Sequence, residues 1–243
     1  MFLGILLALI LINIFATASG NSLFQQLSKP LFVPAFLIYF LLTNQRISLL
    51  ILTFLSFSFI GDFTSVFTDN LTMVEVSSML YCLSYLCLIA AVLTKIRKLN
   101  LDKVIGIYLI IVFIVNAYLL FMLFDTIKYH IPDSVEITLF GVKAVSLLVL
   151  AFVAFVHYLN TDSKQSIQFL IMALCFVFSD VLHYVSTYYM YNWGFVMIER
   201  ILHLIGLFFL FSYILEINVE RRKQKIFSQR MLAKRAYELK LKS

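Results

Sequence analysis

Charge is scarce in this chain of 243 residues: Asp, Glu, Lys and Arg make up 13% of it, against 62% hydrophobic residues. A soluble domain carries about one quarter charged residues, so a water-soluble globular fold is excluded. Cysteine is scarce as well. Cys82, Cys87 and Cys175 lie in apolar runs with no CxxC or Cys/His ligand spacing, which argues against a disulfide framework and a structural zinc site. With only three Pro and seven Gly, the chain shows neither internal repeats nor paired Gly/Pro-broken helices of the kind many transporters use. The formal net charge is +6. Its positive residues gather between apolar runs and at the C-terminus, a pattern of membrane topology and not of nucleic-acid binding.

What the chain has in abundance is long apolar runs, and about 20 such residues suffice for one helical crossing of a bilayer. Eight runs are separated by polar breaks: Phe2 to Ala18, Pro30 to Thr43, Ile47 to Phe67, Val74 to Leu93, Val104 to Phe124, Val135 to Leu159, Ser166 to Tyr189 and Phe195 to Ile217. The second is short, so its helix is expected to begin near Gln25, which draws Lys29 towards the membrane. Within the first run, Phe2 to Phe15 is followed by Ala16-Thr17-Ala18, as in a signal peptide with a small-residue cleavage site. It lacks a basic segment ahead of it and is read as a retained helix. The expected fold is all-α, a polytopic bundle of about eight transmembrane helices with both termini cytoplasmic. Residues 1–217 form the membrane domain in this reading, and residues 218–243 form a basic tail. The tail is expected to continue the last helix as an amphipathic or surface-lying segment that attracts anionic lipid. A protein partner for it is undefined.

Lys and Arg accumulate on cytoplasmic loops, which orients the bundle. With both ends inside, the inner segments hold fifteen of the nineteen cationic residues: Arg46, Lys95, Arg97, Lys98, Lys103, Lys164 and nine in the tail from Arg221 to Lys242. The outer loops hold only Lys29 and Lys128. Lys143 and Arg200 fall inside helices.

Ionisable groups within a span are costly and mark candidate functional sites. At about 1.5 Å per residue, Asp62 lies roughly 6 to 8 Å below the outer surface and Asp180 about 10 Å below it. His183 is one turn further out. Glu199, Arg200, His203 and Lys143 lie within about 6 to 12 Å of the same side. Charges from four helices therefore share one half of the bilayer, which predicts a polar cavity open to the outer leaflet. Glu199 and His203 are four apart and Asp180 and His183 three apart, so each pair projects from one helical face. The purely structural alternative is a set of buried ion pairs, such as Asp180 with Arg200 or Glu199 with Lys143, which hold the bundle together. Asn116 and Ser146 are expected to bond within or between helices. Tyr188, Tyr189, Tyr191 and Trp193 read as an interfacial aromatic belt.

Three segments stand out together: Ser28-Lys29-Pro30-Leu31-Phe32-Val33-Pro34, Phe57-Ser58-Phe59-Ile60-Gly61-Asp62 and Phe176-Val177-Phe178-Ser179-Asp180. In this order and helical placement the chain resembles the YhhN family of membrane proteins, whose animal relatives include lysoplasmalogenases. The family has Lys-Pro opening its second helix, Gly-Asp near the end of its third and Ser-Asp in its seventh. The resemblance runs from Lys29 to the eighth helix and carries over Lys29, Asp62, Asp180 and His203. Two positions differ. Tyr85 stands where relatives have the His of a Ser-His pair, and Glu199 where they have a Tyr four residues ahead of Gln or His.

The resemblance implies a hydrolase that cleaves the vinyl ether bond of a lysoplasmalogen to a fatty aldehyde and a glycerophospho-headgroup. Such cleavage needs an acid to protonate the alkene carbon, a counter-charge for the oxocarbenium ion and a base to activate water, a division of labour that paired carboxylates perform in glycosidases. Asp62 and Asp180 are the expected catalytic residues. One is expected to act as the acid while the other stays ionised near Lys29 or His203, in either order. Lys29 is placed to bind a lipid phosphate, with Arg200 or Lys143 as alternatives, and Tyr85, Glu199 and His203 complete the expected substrate-binding set. The expected partners are the bilayer and a lysophospholipid or ether lipid, without nucleic acid and without a cofactor. Asp62, Asp180, His183 and His203 have no spacing diagnostic of a metal. Two other classes stay open: a lipid-binding or signalling protein that kept the fold and lost the chemistry, because Tyr85 cannot do what His does near neutral pH, and a transporter.

Overall fold

The computed structural model describes residues 2–19, 22–43, 46–67, 71–96, 103–131, 133–161 and 163–242; Arg97 and Lys98 lie outside them. Every regular element among the described residues is helical. In chain order these are α1 (Phe2–Ala18), α2 (Ser22–Ser28), a 3-10 turn (Lys29–Leu31), α3 (Phe32–Leu42), α4 (Leu49–Thr64) and α5 (Leu71–Leu93). They continue with α6 (Lys103–Ile127), α7 (Ser134–Thr161), α8 (Lys164–Tyr184), a π-helical turn (Val185–Tyr189) and α9 (Trp193–Lys242). Six helical stretches are long and apolar enough to cross a membrane: Phe24–Leu42, Thr72–Leu93, Lys103–Ile127, Ser134–Thr161, Lys164–Tyr189 and Trp193–Met231. Leu3–Ala18 and Leu49–Thr64 are apolar but shorter.

The helical stretch that includes Phe24–Leu42 begins ahead of its apolar run, since α2 starts at Ser22. Pro30 and Pro34 each delete a backbone donor, so the helix tightens into the 3-10 turn at Lys29 before α3 resumes. At the start of α8, Ser163 and Ser166 form a reciprocal capping box. Residue 217 falls inside a continuous element: α9 is one helix of 50 residues, exposed over residues 219–231.

The bundle is inverted relative to a soluble protein. Its exposed residues include Leu3, Leu7, Leu41, Ile107, Ile114, Phe121 and Phe178, whereas Asp62, Glu136, Lys143, Asp180, Glu199, Arg200 and His203 are buried. Hydrocarbon on the outside and polar groups inside is what a bilayer solvent selects. The core runs through Phe36, Phe40, Phe54, Phe176 and Phe211, with Phe211 against Phe40 and Phe36 at ring-centroid distances of 4.6 and 5.1 Å. Helices α8 and α9 are tightly packed at Gly206, where a Cβ would sit 2.7 Å from the Phe176 ring.

Charges separate by end. At one end Lys95 donates to Tyr213 at 2.8 Å, Lys164 pairs with Glu216 at 3.6 Å, and Asn218 donates to the Arg46 carbonyl at 3.0 Å. These are the cations assigned above to the inner face. Asp62 of α4, Lys143 of α7, Asp180 of α8 and Glu199, Arg200 and His203 at the start of α9 gather at the other end.

Candidate functional site

Lys29 reaches the interior because the 3-10 turn points it across the bundle. Its ammonium lies 3.3 Å from Glu199 Oε1 and 3.9 Å from Asp62 Oδ1. The segment ahead of it is held by Arg200, which donates to the Gln25 carbonyl and, at 2.9 Å, to Ser28 Oγ. Glu199 also meets His183 Nδ1 at 3.5 Å, and its carbonyl accepts from Ser179 Oγ at 2.9 Å. The Ser of the Ser-Asp motif thus fastens α8 to α9 beside the site.

Asp62 is fully buried and accepts a hydrogen bond from the Tyr81 hydroxyl. The neighbouring Gly61 carbonyl accepts from Ser77 at 2.9 Å, which seats α4 on α5. One turn along α5 from Tyr81, Tyr85 donates to Asp180 Oδ2 at 3.2 Å. Lys143 pairs with the same oxygen at 2.9 Å. The Tyr81 ring stands between the two carboxylate groupings, 5.4 Å from the Lys29 ammonium and 4.6 Å from that of Lys143. Tyr184 presents its ring to Lys143 at 5.1 Å. His203 packs on Phe176 at 5.3 Å between centroids.

The eight residues Lys29, Asp62, Tyr85, Lys143, Asp180, Glu199, Arg200 and His203, singled out in the sequence as site residues, therefore lie in one cluster, joined by direct contacts or electrostatic proximity. The pairings differ from those offered as examples. Asp180 pairs with Lys143 and not with Arg200, and Glu199 pairs with Lys29 and not with Lys143, because α7 faces α8 while the start of α3 faces α9. Tyr188 is half-buried and donates to Glu136 instead of sitting in an aromatic belt, whereas Tyr189, Tyr191 and Trp193 are exposed. Tyr81 and Tyr184 were not singled out; the four-residue spacing of Tyr81 and Tyr85 was the available signal.

Beside the cluster is a cavity of about 380 Å³ between α6, α7 and α8. Its wall is almost wholly hydrocarbon, including Phe113, Leu120, Leu147, Phe152 and Val177, with Asp180, Tyr184 and Asn116 as its polar members. Asp180 faces this space and Asp62 does not. Asn116 bonds within its own helix, to the Val112 carbonyl at 2.8 Å. A second groove lined by Leu119, Leu123, Thr126, Val185 and Tyr189 shares Leu119 and Leu123 with the first and continues along α6 past the π turn. Among the described residues no group of three or more His, Cys, Asp or Glu side chains is arranged to hold a metal ion. No family model, curated protein or solved structure matches the chain. The class defined by fold and site is an all-helical, membrane-type bundle with a buried acid–base cluster next to a hydrocarbon-lined cavity.

Proposed function

We propose that the protein is an integral membrane hydrolase of ether-linked lysolipids, lysoplasmalogenase-like as its resemblance to the YhhN family implies, with eight crossings and both termini in the cytoplasm. The observation that carries this reading is Asp180: a carboxylate with a Lys and a Tyr on it, forming the polar spot in the wall of an apolar cavity. A cavity of about 380 Å³ lies within the range of small-ligand sites and suits a single alkyl chain.

In this mechanism the chain lies along α6 with its vinyl ether at Asp180. The Asp180–Lys143 pair carries one transferable proton and delivers it to the outer alkene carbon, forming a C–H bond. The pair is left with a net negative charge, which opposes the oxocarbenium ion that develops at the carbon next to the ether oxygen. Water adds to that carbon and gives its proton to Asp62, which lies outside the cavity wall, through the Tyr81 hydroxyl that donates to it. The hemiacetal then passes its hydroxyl proton to the ether oxygen as the C–O bond breaks, yielding aldehyde and the free alcohol of the headgroup. Return of the proton from Asp62 to the Asp180–Lys143 pair, by way of the intervening Tyr81, completes the cycle. One water is consumed and nothing is oxidised. Lys29, partly exposed beside Glu199, is the candidate for the lipid phosphate.

The test is aldehyde release from a lysoplasmalogen by purified protein in nanodiscs. Asp180→Asn and Asp62→Asn are each expected to lower turnover by roughly a hundredfold or more while remaining folded. Full activity in either variant removes that residue from the mechanism. Lysolipid binding without aldehyde from the wild type would favour the binding-protein reading, for which the cavity is the supporting observation.

A further inference from the structure

Helix α6 buries one side chain near each of its ends: Leu109, 4% exposed, in its second turn, and Ile127, 1% exposed, at its finish. The cavity of about 380 Å³ lies along the stretch between them. Protein interiors are close-packed, and an apolar void of this kind stays dry and takes an apolar guest. In a bilayer the guest at hand is a hydrocarbon chain.

Packing contacts give the cavity a length. Helices α6 and α7 run antiparallel, with Phe113 against Phe152 at 4.9 Å between ring centroids and Phe124 against Phe140 at 5.5 Å. Two contacts fix the level of Asp180 on α7. One is its ion pair with Lys143 at 2.9 Å; the other is Tyr184, one turn further along α8, whose ring lies 4.1 Å from that of Phe140. From that level the wall continues along α7 through Leu147, Ala151 and Phe152 as far as Phe155. Lys143 to Phe155 is twelve residues, or about 18 Å of helix. On α6 the matching end is Leu109, one turn beyond Phe113.

Polarity along this length is one-sided. Asp180 and Tyr184 stand at one end, and Asn116, part-way along, commits its amide to the Val112 carbonyl. The side chains of the far end, Leu109, Phe113, Phe152 and Phe155, are hydrocarbon only. The cavity therefore has a head and a foot.

We infer that the cavity selects its lipid by chain length: one unbranched chain lies with its polar end at Asp180 and its terminal methyl stopped by Leu109 and Phe155. Bonds of about 1.5 Å at tetrahedral angles advance an extended chain by about 1.3 Å per carbon, so about 18 Å holds about fourteen carbons. With the two alkene carbons at Asp180, the best-fitting alkenyl chain has about sixteen. Placing the alkene there rests on the hydrolase reading; the stop at Leu109 and Phe155 does not. A chain that leaves the bilayer for the cavity exchanges one hydrocarbon environment for another, so length is felt through packing. A shorter chain leaves a void at the foot and a longer one is overpacked there, and selection peaks between them.

The test offers the full chain in nanodiscs an equimolar mixture of lysolipids with one headgroup and saturated chains of about 10 to 20 carbons, and reads bound lipid by native mass spectrometry. Occupancy is expected to peak near sixteen carbons, at least about fivefold above both extremes. Ala151→Phe puts a ring into the slot about 6 Å short of its end and should move the peak down by about four carbons. Phe155→Ala removes part of the stop and should move the peak up by about two. The shifts have opposite sign, melting temperatures report whether each variant is folded, and either folded variant decides alone. Among lysoplasmalogens, kcat/KM for aldehyde release should follow the same profile and the same shifts. Uniform occupancy across the series in the wild type, or a peak that stays in place in a folded variant, overturns the proposal whether or not aldehyde is made. A peaked occupancy that moves with the variants, without aldehyde from any lysoplasmalogen, overturns the hydrolase reading and upholds the stop.

Discussion

Replacing Lys143 by Met removes one half of a buried ion pair and keeps the length of the side chain. Nζ and Asp180 Oδ2 are 2.9 Å apart, with only 4% and 11% of their side chains exposed. Breaking such a pair from one side costs about 3–5 kcal/mol, because the remaining charge is stranded. Tyr85 still donates to Asp180 at 3.2 Å, so the lower end, about 3 kcal/mol, is expected. For a domain of this size that corresponds to a fall of about 6–12 °C in melting temperature. Removing both charges in Lys143→Met/Asp180→Leu should recover most of the loss, giving a coupling energy of about 2 kcal/mol. The measurement is thermal unfolding in mild detergent, followed by circular dichroism, for the wild type, both single variants and the double variant. A shift below about 2 °C for Lys143→Met, or strictly additive single variants, would refute the pairing.

Two further outcomes are expected. Gly206→Ala gains about 1 kcal/mol of helix propensity but drives a Cβ to 2.7 Å from the Phe176 ring, which is itself hemmed in by Phe54, Tyr85 and His203. Overpacking at about 1–3 kcal/mol should win, so the melting temperature falls; a rise would mean that the helices can move apart. Lys95 lies beyond the end of α5, and desolvation of its ammonium, helped by Arg221, pushes it down to about 8. Its amine loses charge as pH rises through that value, so at pH 8 it should react with an acylating reagent faster than Lys223 in the exposed tail. Because the folded state disfavours the charged form, stability should decline as pH falls from about 10.4 towards 8 and level off below. Equal labelling of the two lysines by mass spectrometry, or the opposite pH trend, contradicts this.

The helices were legible because each is a run of apolar residues bounded by polar breaks. The run Val135 to Leu159 lies within α7 (Ser134–Thr161), and the run Ile47 to Phe67 overshoots α4 (Leu49–Thr64) by a few residues at each end. That Asp62, Asp180 and Glu199 share one level of the bundle was legible too, since counting along a helix measures height. Rotation and neighbour choice were not. A spacing of three or four residues gives a face, but which face meets Lys29 or Lys143 depends on how the crossings tilt and pack. Tyr81 stayed hidden because tyrosine is common in membrane helices, and only its hydroxyl, aimed at Asp62, distinguishes it from a core aromatic. The cavity was beyond reach for a related reason. Helix α6 is apolar on every side, so its sequence does not tell which residues lean on α7 and which leave space against α8.

Helix α9 holds Glu199, Arg200 and His203 near its start and carries a row of cations far beyond the bundle, without a Pro or any other interruption between. From Glu199 to Met231 the rise is about 48 Å at 1.5 Å per residue. A stiff rod of that length works as a lever arm. A tilt of about 5° at the acidic end would swing the far end by about 4 Å over this span. Events at the Lys29–Glu199 end of the molecule are therefore mechanically connected to its cationic extremity through a single piece of backbone.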